Sequence, residues 1–129
     1  VPAIPILYED KDILVVNKPA GLLSIVDGYN PQLPHLRTVL EPDYGSLWMV
    51  HRLDRDTSGV MILARTKEAH KKLNGQFSSR LIKKEYAAVV VGRPTWLEYT
   101  VALPLLVNGD RRHRTVVSSA GKPATTSLR

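Results

Sequence analysis

The sequence predicts an α+β fold on a mixed, mainly antiparallel sheet with few helices. Strand-like segments outnumber helical ones, strands and helices do not alternate regularly, and Pro and Gly cut the chain into short elements. Ile6 to Glu9 and Ile13 to Asn17 read as two strands joined by the turn Asp10-Lys11-Asp12. Lys18-Pro19-Ala20-Gly21 then breaks the pattern. From Ser24 to Ser46, Gly28, Pro31, Pro34, Pro42 and Gly45 predict a long, partly mobile connection, with a short helix around Arg37 to Leu40. Leu47 to Leu53 and Val60 to Ala64 are the next strands. Thr66 is placed to cap a helix running to about Ser79. Ala69, Leu73 and Phe77 fall four apart on one face of it, and Lys67, Lys71 and Lys72 take the other. Lys84 to Val91 is the clearest strand, β-branched and aromatic, closed by Gly92. Shorter strands are expected at Tyr99 to Ala102, Arg114 to Val117 and Ala124 to Leu128. No turn residue follows the last of these, so more chain is expected beyond it.

Composition narrows the class. A chain of 129 residues suits one compact domain, and 43% hydrophobic residues without low-complexity tracts exclude a disordered tail. No apolar run approaches the ~18 residues of a membrane span. Val1-Pro2-Ala3-Ile4-Pro5 lacks the layout of a signal peptide. The absence of cysteine excludes disulfides, thiolate catalysis and cysteine-bound zinc, and fits a cytoplasmic protein. Eighteen Lys and Arg against twelve Asp and Glu give a net charge of +6, which suits a polyanion, since each neutralised phosphate releases counterions. A monomer with no membrane partner is expected.

The densest polar cluster is His51-Arg52-Leu53-Asp54-Arg55-Asp56-Thr57-Ser58-Gly59, which a buried strand delivers into a tight loop. Asp54 stands between Arg52 and Arg55. An isolated Asp titrates near 3.9, and a close Arg lowers that by about 1–3 units. Asp54 is therefore expected to be ionised, as a nucleophile or electrostatic partner rather than a proton donor. The ordinary alternative is that Asp54 and Asp56 only bond loop amides. His51 and Asp54 do not build a metal shell at this spacing, and no second His or Cys cluster completes one. Phosphate-cradling, dinucleotide-binding and nucleophile-elbow motifs are absent, so no metal and no cofactor are expected. Arg111-Arg112-His113-Arg114 follows Asn108-Gly109-Asp110 and is expected on a hairpin tip, where Arg111, Arg112 and Arg114 suit phosphate contacts.

The segment from His51 to Gly59 resembles the catalytic motif of the RluA-type pseudouridine synthases, whose Asp sits where Asp54 does. Asn17-Lys18-Pro19-Ala20-Gly21 is similar to the family's early motif. Lys83-Lys84-Glu85-Tyr86-Ala87-Ala88-Val89-Val90-Val91-Gly92 is similar to its Lys-x-Tyr-x-Ala-x-Val-x-Gly strand. Gly121-Lys122-Pro123-Ala124-Thr125-Thr126 is similar to a segment just after its small hairpin. The resemblance implies that the chain isomerises uridine to pseudouridine in structured RNA, ribosomal or transfer. Asp54 is then the nucleophile, attacking ribose C1′ or the uracil ring. Arg52 enters the helix in place of the flipped base, and Tyr86 packs against the target uracil as a candidate acceptor of the C5 proton. Arg55 and Lys18 join Arg111, Arg112 and Arg114 as RNA-binding candidates. The resemblance also implies that residues 1–129 are the N-terminal portion of the catalytic domain, lacking a later basic residue that pairs with the Asp.

Base extrusion costs a few kcal/mol, and a planar guanidinium can stack into the vacancy. An aromatic face suits a flat base, although Tyr favours strands in any case. Two other readings stay open: a non-catalytic RNA-binding module on the same fold, and a metal-dependent hydrolase using His51 and Asp54.

Overall fold

The structure, a computed structural model, describes residues 3–129. It separates into two compact units, residues 1–85 and 86–129.

In the first unit, β1 (Ile6–Glu9), β2 (Ile13–Lys18), α1 (Leu36–Tyr44), β3 (Trp48–Met49), β4 (Gly59–Ala64) and α2 (Lys67–Ser78) follow one another. The four strands form one antiparallel sheet in the order β1-β2-β4-β3. Alternation decides which face is covered: Leu14, Val16 and Lys18 of β2 and Met61 and Leu63 of β4 are all fully buried. Leu36 and Leu40, one turn apart on α1, join Leu22, Leu47 and Leu53 to close this core. Thr66 caps α2 as its position predicted, its Oγ1 accepting the Ala69 N–H at 3.1 Å. The His70 ring ties α2 to β3 through the Met49 carbonyl at 3.2 Å.

The second unit is sparser. β5 (Tyr99–Ala102) pairs antiparallel with β8 (Thr125–Leu128), and β6 (Leu105–Leu106) with β7 (Val116–Val117), the latter pair carrying residues 108–114 at its tip. Gly121 is required by close approach. A side chain there would run into the Leu105 backbone, which bonds Lys122 in both directions at 2.9 Å.

The α+β class and the mainly antiparallel pairing are those expected, with three local corrections. α1 runs to Tyr44 rather than ending near Leu40, because Pro42 sits in its last turn, where it removes one bond and the Gly45 N–H still reaches the Glu41 carbonyl at 3.0 Å. Of the strand expected at 47–53, only Trp48 and Met49 pair. The remainder joins no ladder among the described residues, and Leu53 is held by the Ser24 hydroxyl instead. Lys84 to Val91 belongs to no ladder among the described residues, and Val89 and Val91 are fully exposed. β-branched side chains make a segment compatible with a sheet, but a strand exists only where a neighbour supplies hydrogen bonds.

Candidate active site

The β2–β4 register brings two distant motifs together, with Lys18 directly opposite Gly59. The Lys18-to-Gly21 turn therefore leaves the sheet beside the loop that begins at His51. Gly21, at φ +85°, donates its N–H to the Arg55 carbonyl at 2.8 Å, and Arg55 Nε returns a bond to the Gly21 carbonyl at 3.1 Å. Such a positive φ favours glycine, which lacks the Cβ that would clash.

Lys18 lies beneath this junction with no exposed surface. Its Nζ donates to the carbonyls of Pro19, Leu22 and Arg55 at 3.1, 2.7 and 3.0 Å. An ammonium has three protons, and all three are used. Burial holds its pKa below the usual lysine value, against the opposing pull of Asp56 and Asp54. Of the two roles open to Lys18, touching phosphate or capping a turn, the geometry favours the second: its buried charge faces the backbone carbonyls of the turn and of Arg55.

Ser24 adds a second clasp. Its buried Oγ donates to the Leu53 carbonyl at 2.6 Å and accepts the Leu53 N–H at 3.1 Å. The sequence places Ser24 at the start of a long, partly mobile connection, and nothing local distinguishes a serine that bonds a backbone 29 residues away.

Between these clasps the loop presents Asp54, whose side chain is 85% exposed. The Thr57 N–H bonds the Asp54 carbonyl at 3.1 Å and closes the turn. Arg52 Nη2 stands 3.8 Å from the carboxylate, an open, solvated pairing of the kind that contributes about 0–1 kcal/mol. Arg55, the other expected neighbour, turns its Nε to Gly21 instead. Backbone anchoring, more than ion pairing, sets the position of Asp54.

His51 is a strut. Its ring stacks on Phe77 with centroids 4.7 Å apart, and Nε2 accepts the Ile62 N–H at 3.1 Å. This bond uses the lone pair that a metal would need. Among the described residues no group of three or more His, Cys, Asp or Glu is placed to hold a metal ion. Burial, with Lys84 adding, holds the His51 pKa below that of free imidazole. Burial and Arg37 do the same for His35. The unfolded chain binds these protons first, so stability is full above about pH 6.5 and falls as pH drops below it. We expect the urea midpoint to decrease between pH 7.5 and 5.5, before most carboxylates titrate. A flat profile would contradict this placement of the rings.

In the second unit Tyr86 is exposed, on the stretch before Gly92 that joins no ladder among the described residues. At the hairpin tip Asp110 Oδ1 accepts the N–H groups of Arg112 and Arg114 at 2.9 and 3.0 Å. Asp110 Oδ2 accepts from Arg114 Nε at 2.7 Å. These bonds hold the Asp110 pKa below the usual carboxylate value. They also turn Arg114 back onto its own loop, leaving Arg111 and Arg112 exposed. The structure thus gathers Lys18, Arg52, Asp54 and Arg55 in one unit, and places Tyr86, Arg111, Arg112 and Arg114 in the other.

The family described as RNA pseudouridylate synthase matches residues 12–129, a span that contains both motifs of this junction. The chain belongs to that family. The RluA-type likeness of its motifs extends along the sequence. Over 126 residues the chain is 43% identical to the dual-specificity RNA pseudouridine synthase RluA of Salmonella typhi and to its counterpart from Escherichia coli strain K12. In each case the match covers 97% of this chain and 58% of the relative. Among solved structures, human RNA pseudouridylate synthase domain containing 1 matches with a TM-score of 0.80 at 25% identity, covering 97% of this chain and 51% of that one. Human RNA pseudouridylate synthase domain containing 4 matches with a TM-score of 0.73 at 28% identity, covering 95% and 52%.

Proposed function

We propose that the protein to which this chain belongs converts specific uridines of structured ribosomal or transfer RNA to pseudouridine, with Asp54 as nucleophile. The presentation of Asp54 carries this reading: an exposed carboxylate on a loop fixed from behind by Lys18, Gly21 and Ser24. The relatives named above, RNA pseudouridine synthases of dual specificity, support the substrate class. The net charge of +6 supports an RNA partner, and a cysteine-free chain suits the cytoplasm.

In the reaction, the target base leaves the stack and Arg52, exposed beside Asp54, fills the vacancy. The Asp54 carboxylate attacks C1′ or the uracil ring, the N1–C1′ bond breaks, the uracil turns over, and C5 bonds to C1′. The C5 proton is lost and N1 gains one, so atoms balance without oxidant, reductant or second substrate. Tyr86 supplies a flat face for the uracil and a phenol near its C5. Arg55, Arg111, Arg112 and Arg114 hold phosphates.

To test this, unmodified ribosomal and transfer RNA transcripts are incubated with the protein, digested to nucleosides and chromatographed. A pseudouridine peak that grows with time is expected. RNA that binds and stays wholly unmodified would instead support the non-catalytic RNA-binding module.

A further inference from the structure

Beside the Asp54 loop the first unit holds a pocket of about 280 Å3, lined by Ala20, Gly21, Leu22, Leu23, Leu33, Pro34 and Arg55. Its walls are aliphatic, and one cation, Arg55, stands at them. Arg55 is tethered through Nε to the Gly21 carbonyl, and the Asp27 carboxylate lies near enough for the guanidinium to help lower its pKa, so an anionic occupant competes with Asp27 for this charge. The Gly21 N–H and Lys18 Nζ both hold the Arg55 carbonyl. Pocket wall and Asp54 loop are therefore stitched into one piece, and Arg55 is the next residue after Asp54, about 3.8 Å along the chain.

An occupant of this pocket needs apolar faces for Leu23, Leu33 and Pro34 and an acceptor or anionic group for Arg55. At just under the ~300–1,000 Å3 of ordinary small-molecule sites, the pocket has room for one flat ring system. A nucleotide has both features, because every base offers a flat face whatever its identity and every residue carries a phosphate. We propose that the pocket takes the base of a nucleotide flanking the target uridine, with Arg55 holding that nucleotide's phosphate. The proposal rests on the RNA reading above and adds a second everted or unstacked base to it. The slot fixes the RNA one nucleotide from the reacting uridine, so it positions the target as well as binding it.

Hairpin RNAs with a single loop uridine, carrying 2-aminopurine immediately upstream in one and downstream in the other, test this by fluorescence titration with the protein. Fluorescence should rise at one of the two positions as that base leaves its neighbours for the slot. L33W, which fills the pocket, should remove the rise and weaken binding about tenfold. R55Q, which leaves the apolar walls intact, should weaken binding and lower the salt dependence by about one phosphate contact. Thermal melts confirm that each variant is folded, and R55Q tests the slot even if L33W is not. Binding with no rise at either position, or a rise unaffected by both variants, overturns the slot and leaves the RNA reading standing. Failure of the unaltered protein to bind either hairpin overturns both.

Discussion

Asp54→Asn is expected to abolish pseudouridine formation by the full-length protein while leaving RNA affinity within about twofold. The amide is nearly the same size and accepts the same loop geometry, since the bond from the Thr57 N–H goes to the Asp54 main-chain carbonyl, which the substitution keeps. What disappears is the anionic oxygen that attacks the nucleoside. Removal of a covalent nucleophile costs on the order of 10^4-fold or more in rate. Affinity should persist because it comes from phosphate contacts and stacking. Single-turnover rates and filter binding on the same RNA separate the two. Comparable losses in both would mean that Asp54 only holds the loop together.

Lys18→Met is expected to produce the largest change in stability. The Pro19 and Leu22 carbonyls lose their donor at once, while the Arg55 carbonyl keeps the Gly21 N–H, and each buried acceptor left unpaired costs about 1–3 kcal/mol. For a unit of this size, each kcal/mol lowers the melting temperature by about 4–8 °C. The loss is local in origin, since the Lys18-to-Gly21 turn and the Arg55 carbonyl lie behind the Asp54 loop, and turnover should fall along with stability. Lys18→Arg should recover only part of either property, because a planar guanidinium does not fit a cage built around a compact ammonium. A surface phosphate contact would behave in the opposite way. Stability would stay within about 0.5 kcal/mol, and the salt dependence of RNA binding would drop instead. Calorimetric melts of Lys18→Met decide between the two.

The contrast between Lys18 and Asp54 shows what the sequence made legible. Segments whose structure is decided locally read well: the strands at Ile13 to Asn17 and Val60 to Ala64, the Thr66 cap, and the turn chemistry of Asp54 to Gly59. The tight hairpin signal at Asn108-Gly109-Asp110 was equally plain, and Asn108 does take φ +54°. Pairing at long range was not legible. For Lys18 the sequence leaves a phosphate contact and a turn cap both open, because only the β2–β4 register shows that it faces inward opposite Gly59. Ser24 looks like an ordinary loop polar residue, and His51 like a candidate site residue, until Leu53 and Ile62 are seen to bond them. Lys84 to Val91 has the composition of a strand, but composition does not supply a neighbour. The stretch from 24 to 46 read as mobile from its prolines, yet Leu36 and Leu40 anchor it in the core and the Leu36 N–H bonds the Leu23 carbonyl at 2.8 Å.

The most direct test follows the hydrogen that the isomerisation must expel. In RNA made with uridine tritiated at C5, closing the C5–C1′ bond releases one tritium to solvent per modified uridine. Stoichiometric release by the full-length protein, and none by its Asp54→Asn variant, is the predicted result. Undiminished release with asparagine in place would remove Asp54 as the nucleophile, and no release from any RNA that the unaltered protein binds would end the assignment.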